Sequence, residues 1–179
     1  MKLFLKRSLK TAVSYGTGML LFTFFLIAPI SMESNRNTWI AVYSFVFFVF
    51  TAVYLYKQMW KAGEKSMREG TDPAVKPWMG LAYGFAGFLP FLLMELLYFI
   101  IYPGIAGGLE GNIVHAIFRC AFGPMYFIIR MLGYTWYAYL ISSLVVPLIA
   151  FAGFAVGTKG TGLKEMIGSI RRDREDFLD

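Results

Sequence analysis

The sequence predicts an all-α integral membrane protein: four transmembrane helices plus a re-entrant or interfacial helical segment, with five transmembrane helices as the alternative. Three observations predict it. The 179 residues are 58% hydrophobic and only 16% charged, whereas about a quarter of a soluble domain is charged. So little charge could not coat a soluble surface, which excludes a soluble enzyme and a disordered tail. The charges are also segregated, leaving apolar runs that match the roughly 20 residues a helix needs to cross the hydrocarbon core. These runs show no sustained alternation of polar and apolar residues, which excludes the strands of a membrane barrel. The single cysteine, Cys120, excludes a disulfide scaffold.

The first span is Thr11 to Ile30, since no charge falls between Lys10 and Glu33. It follows a basic start like that of a signal peptide. Its apolar region is too long for one, and Pro29 spoils a cleavage site after Ala28, so it reads as a retained span, with cleavage the minor alternative. Thr38 to Tyr56 is the second span. Lys57 to Lys76 continues it as a helical extension ending near Gly70 and Pro73. Trp78 to Tyr102 is the third, interrupted by one charge, Glu95. Tyr134 to Gly157 is the fourth, between Arg130 and Lys159. Residues 1–157 thus form a single transmembrane bundle, and 158–179 a cytoplasmic tail that is amphipathic and charged. The tail carries Leu163, Met166, Ile167 and Ile170 at helical spacing.

Lysine and arginine set the orientation. Lys2, Lys6, Arg7 and Lys10 precede span one; Lys57, Lys61, Lys65, Arg68 and Lys76 separate spans two and three; and Lys159, Lys164, Arg171, Arg172 and Arg174 follow span four. Four spans put all fourteen on the cytoplasmic side and leave Arg36, Arg119 and Arg130 on the other. Both termini are therefore expected in the cytoplasm. Trp39, Trp60, Trp78 and Trp136 fall near the proposed boundaries, as interfacial aromatic belts do.

The segment Asn112 to Leu132 is long enough to span, yet it holds His115, Arg119, Gly123, Pro124 and Arg130. A fifth span there would put the tail and its cations outside. Gly80 and Gly84 open span three, and Gly153 and Gly157 close span four. Each pair is a small-xxx-small face that lets helices approach closely. With four spans both pairs lie at the cytoplasmic end and could face each other, which favours four.

Glu95 is the sharpest candidate for function. A carboxylate deep in a span costs several kcal/mol unless it is paired, protonated or hydrated. If the ambiguous segment dips into the membrane, Arg119 reaches a similar depth and pairs with Glu95, with His115 one turn away. A proton- or ion-linked site and a buried structural pair are the two readings. The absence of a second carboxylate in the spans weighs toward the structural one. No catalytic set, metal-ligand set or cofactor motif is legible: the one histidine and one cysteine are not a zinc site, and no nucleophile elbow is present.

Val146 and Pro147 in the last span, Gly157, Thr158, Lys159 and Gly160 before a charged tail, and Arg119 with Gly123 and Pro124 give the last third of the chain a family likeness. It resembles uncharacterised small multi-span membrane proteins of Gram-positive bacteria. The resemblance implies a bacterial inner, or sole, membrane and supplies no activity. The expected function is a non-enzymatic subunit, scaffold or accessory protein of a membrane complex. A small oligomeric ion- or proton-linked transporter or channel using Glu95 is the alternative, and a membrane enzyme comes third. The expected partners are the lipid bilayer, anionic lipid head groups at the cytoplasmic face, and either a membrane protein or further copies of the chain. No basic-aromatic array points to nucleic acid.

Overall fold

A chain that must satisfy every backbone N–H and C=O without water has the helix as its local solution, and the computed structural model is helical throughout the residues it describes, 2–26, 36–68, 76–101 and 120–159. The elements are α1 (Lys2–Phe25), α2 (Arg36–Arg68), α3 (Met79–Ile101), a 3-10 turn (Gly123–Met125), α4 (Tyr126–Met131) and α5 (Trp136–Thr158). Among the described residues, three stretches are long and apolar enough to cross a membrane: Asn37–Met67, Met79–Ile100 and Trp136–Thr158. The apolar part of α1 is preceded by Lys6, Arg7 and Lys10 within the same helix. The predicted extension of span two is present, with α2 continuing unbroken to Arg68. At 33 residues, α2 is roughly 50 Å long and outreaches the hydrocarbon core. The tail stripe from Leu163 to Ile170 lies outside the described residues.

Side-chain contacts fix how the helices run. In α1 and α2, Arg7 meets Ser66, Thr11 meets Met59 and Phe22 meets Phe47, so these two helices are antiparallel. Along α3 and α5, Glu95 meets Ser143 and Phe99 meets Tyr139, again antiparallel. Consequently 2–10, 60–68, 76–84 and 153–159 share one end of the bundle. This end holds Lys6, Lys10, Lys61, Lys65, Lys76 and Lys159 and is called the basic end here. Leu26, Asn37, Ile101 and Trp136 lie toward the far end.

Apolar side chains fill the core and also cover the outside of the bundle. Leu20, Phe24, Val46, Leu96, Ile100 and Leu148 are each more than half exposed, while Thr11, Ser14, Ser44, Thr51, Ser66, Glu95, Ser142 and Ser143 are buried among the apolar residues. Water would disfavour so apolar an exterior, whereas lipid permits it. Several buried hydroxyls donate to the carbonyl one turn back, as Ser142 does to Ala138 and Thr51 to Phe47. The buried α1 face, Arg7, Thr11, Ser14, Tyr15, Gly18 and Phe22, repeats every three or four residues. It is a helical stripe.

Glycines set the closest approaches. A side chain at Gly80 would meet Phe154 and Phe151, and one at Gly84 would meet Pro147 and Ala150, so α3 lies on α5 at these points. Gly153 and Gly157 do not return that contact. They face Tyr56 and Trp60 of α2, where Gly63 faces Phe154 and Thr158 in turn. This corrects the expectation that the two motifs face each other. α5 meets α3 through Pro147, Ala150 and Phe154 and meets α2 through Gly153 and Gly157, so it packs with both neighbours at once.

The second half of the ambiguous segment is not a continuous helix. Pro124 lacks the N–H that would continue the helical ladder, and Gly123–Met125 is a buried 3-10 turn. From there the chain climbs to the far end. The Tyr15 hydroxyl donates to Ala121 O at 2.8 Å near the middle of the bundle, and Phe127 N–H donates to Ser44 Oγ at 3.0 Å. Arg130 then donates to Asn37 O and Thr38 Oγ1 at the far-end start of α2. Here α4 ends in a Schellman motif. Tyr134 N–H donates to Ile129 O and Gly133 N–H to Arg130 O, and Gly133 sits at φ 79°, which glycine adopts without penalty. Tyr134 follows at φ 56°. Its hydroxyl lies 2.7 Å from that of Tyr126, and the chain reverses directly into α5.

Candidate functional site

Two polar clusters stand out inside the bundle among the described residues. The first is built on Glu95, which is 2% exposed. Helical spacing puts it on the α3 face that also carries Gly80, Gly84, Gly87, Phe88, Phe91 and Tyr98, so the carboxyl points inward because the packing face does. It lies six residues from Ile101 and Ser143 lies seven from Trp136, so both sit roughly 10 Å from the far end. Ser143 Oγ donates to Glu95 Oε2 at 2.5 Å. Pro147, four residues on, cannot donate to the Ser143 carbonyl, so this turn of α5 lacks one backbone hydrogen bond. Glu95 Oε1 is buried with no hydrogen-bond partner among the described residues. The Tyr15 ring packs edge-on against Phe88 and Phe91, with centroids 4.8 and 4.7 Å away. Its hydroxyl, on Ala121 O, ties the broken segment to the same level of the bundle.

His115 and Arg119 lie outside the described residues, and with them the proposed Glu95–Arg119 pair. The described partner of Glu95 is an uncharged serine on α5. Ser143 was legible only as one of several serines in the spans. The signal that could have found it is that Glu95 and Ser143 lie at matching depths on antiparallel helices.

The second cluster is built on Arg7. Arg7 counts in the sequence as one of the cations flanking span one, yet it is 6% exposed. Its guanidinium donates to Tyr83 Oη at 3.0 Å and Ser66 Oγ at 2.5 Å. It also lies over the rings of Tyr83 and Phe154, 5.4 and 5.6 Å from their centroids. One side chain thus bridges α1 to α2, α3 and α5. These partners are uncharged, so the cation is held by hydrogen bonds and ring faces. The helical stripe of polar and small residues from Arg7 to Gly18 is the signal that could have revealed it.

Glu95 and Ser143 bring a carboxyl and a hydroxyl together, and no group of metal-binding side chains forms among the described residues. No protein-family model, curated protein or solved structure matches the chain.

Proposed function

We propose that this chain is a non-enzymatic subunit, scaffold or accessory protein of a membrane complex. In this reading it crosses a bacterial plasma membrane four times. α1 supplies the first crossing, and the segment broken at Gly123 and Pro124 is re-entrant, entering and leaving at the far end. The basic end and both termini lie in the cytoplasm, following the rule that loops rich in lysine and arginine stay inside. The observation that carries the functional reading is how the interior is filled. Tyr15, Phe88, Phe122 and Phe154 are each at most 1% exposed, and glycines bring the backbones between them into contact. A single copy built this way offers neighbours its surface rather than an aqueous path. Crosslinking in native membranes followed by affinity purification tests it: a stable, larger partner protein is the expected result. A homogeneous homo-oligomer that moves ions when reconstituted would overturn it.

One observation favours a second reading, an oligomeric ion- or proton-linked transporter. A buried oxygen without a hydrogen bond is costly, and among the described residues Glu95 Oε1 is such an atom. Exchange at that carboxyl would give the cost a use. Flux measurements on reconstituted protein, with Glu95→Gln as the control, separate the two readings.

A further inference from the structure

An apolar groove of about 580 Å³ runs between α2 and α5 on the outside of the bundle. The small side chains Ala52 and Ala152 leave the space, Ile149 and Val156 wall it on the α5 side, and Lys57 and Trp60 stand at its basic end. It exists because of the glycine contacts already described. Gly153 and Gly157 draw α5 against Tyr56 and Trp60, and the parallel helices leave a furrow on the adjoining face. Its depth follows from the helices themselves. Lys57 is 21 residues from Arg36 and Val156 is 20 from Trp136, so both lie roughly 30 Å from the far end, the thickness of the hydrocarbon core. The groove therefore opens into the acyl chains of one leaflet, and its cation stands at that leaflet's head groups.

We propose that this groove is a binding site for a single anionic phospholipid, with one acyl chain along Ala52 and Ala152 and the phosphate on Lys57. The proposal rests on the reading that the bundle sits in a bilayer with its basic end at the cytoplasmic leaflet. Charge complementarity selects the occupant. Lys57 is exposed in the bundle; a partner helix laid over the groove would strip water from that cation, whereas a phospholipid meets it with an opposite charge at its own depth. The Trp60 indole N–H adds a donor suited to phosphate or ester oxygens. A volume of this size is that of a site for one small ligand.

Trp60 is also the reporter. With Trp39, Trp78 and Trp136 changed to phenylalanine, its fluorescence reads only the groove. The variant is reconstituted in phosphatidylcholine vesicles holding a few mole per cent of brominated phosphatidylglycerol or, separately, brominated phosphatidylcholine. The anionic lipid should quench Trp60 with about fivefold greater effect per mole, the advantage of one lysine facing an anionic head group. Lys57→Gln should bring the two lipids to parity. Ala152→Leu, which fills the groove and keeps the lysine, should do the same, while Lys61→Gln, outside the groove, should leave the preference intact. Equal quenching by both lipids in the parent, or a preference unchanged by Lys57→Gln, would overturn the site. Protection of Trp60 from both lipids would overturn it in favour of a protein partner or second copy. Failure of the membrane reading looks different: a Trp136-only variant would then be quenched by neither lipid.

Discussion

Glu95 and Ser143 give way differently when changed, because only one of them is the donor. Ser143→Ala removes the described hydrogen bond of a buried carboxyl and should cost about 1–3 kcal/mol, measured as thermal stability in detergent. Glu95→Gln keeps an acceptor of the same shape for the Ser143 hydroxyl and should stay within about 1 kcal/mol of the parent. Replacing both, by Glu95→Leu with Ser143→Ala, removes the polar pair together and should recover much of the single loss. A Glu95→Gln loss of about 3–5 kcal/mol would instead show that the carboxylate holds a buried cation such as Arg119. Arg7 makes a second test at this scale. Arg7→Ala abandons contacts with three helices and should cost about 2–3 kcal/mol. Arg7→Lys should recover less than half of that, because an ammonium cannot reach Tyr83 and Ser66 as a planar fork does. Of these residues, Glu95 was legible in the sequence because a charge inside an apolar run stands out by itself. Ser143 and Arg7 were not, because their roles depend on which helix faces which, and a basic residue before a span reads first as a flank.

Helices here are positioned by what is missing from them. Gly157 has Trp60 O where a Cβ would stand and Glu64 N close behind. Both are backbone atoms that cannot turn aside, so Gly157→Ala should force α5 off α2 and cost about 1–3 kcal/mol. Gly16 has nothing within 4 Å of that position. Gly16→Ala should therefore be neutral or stabilise by up to about 1 kcal/mol through helix propensity. Equal effects at the two sites would mean that the close approach of α5 to α2 is wrong. Contact between α3 and α5 is tested by cysteines in a Cys120→Ser background. A Cβ at Gly84 would lie 3.1 Å from Ala150 Cβ, a few tenths of an ångström inside the usual disulfide spacing, and 2.6 Å from Pro147 Cα, so α3 must ease outward as the bond forms. Cysteines at Gly84 and Ala150 should lose both free thiols on oxidation, as read by maleimide mass labelling, whereas cysteines at Gly84 and Gly153 should keep them. Periodicity and charge gaps made the three apolar helices legible, together with the depth of the glycine motifs. Which neighbour each motif meets was not, since Gly153 and Gly157 look the same in sequence whether they face α2 or α3.

At the scale of the whole molecule, the contacts constrain how many times the chain can cross. Ile101 ends α3 beside the start of α5, since Phe99 packs on Tyr139 and Glu95 on Ser143. Of the chain between them, residues 120–131 climb from Ala121 at Tyr15 to Arg130 at Asn37. A fifth complete crossing would put the start of α5 at the basic end, and the antiparallel pairing of α3 with α5 would be lost. In the proposed four-span arrangement Met131, 81% exposed at the far-end turn, and Lys159, exposed after α5, lie on opposite sides of the membrane. Lys159 shares its side with Lys61. Single cysteines at these three positions, again with Cys120→Ser, should react with a membrane-impermeant maleimide in two groups. In intact cells Met131→Cys should label, and Lys61→Cys and Lys159→Cys should label only after the membrane is opened. Labelling of Met131 and Lys159 from the same side would rule out both the re-entrant segment and the α3–α5 pairing. The opposite pattern with the grouping kept, Lys61 and Lys159 outside and Met131 inside, would leave the bundle intact and reverse only its orientation. That result would move the Lys57 groove to the outer leaflet and remove the positive-inside rule as the guide to this protein.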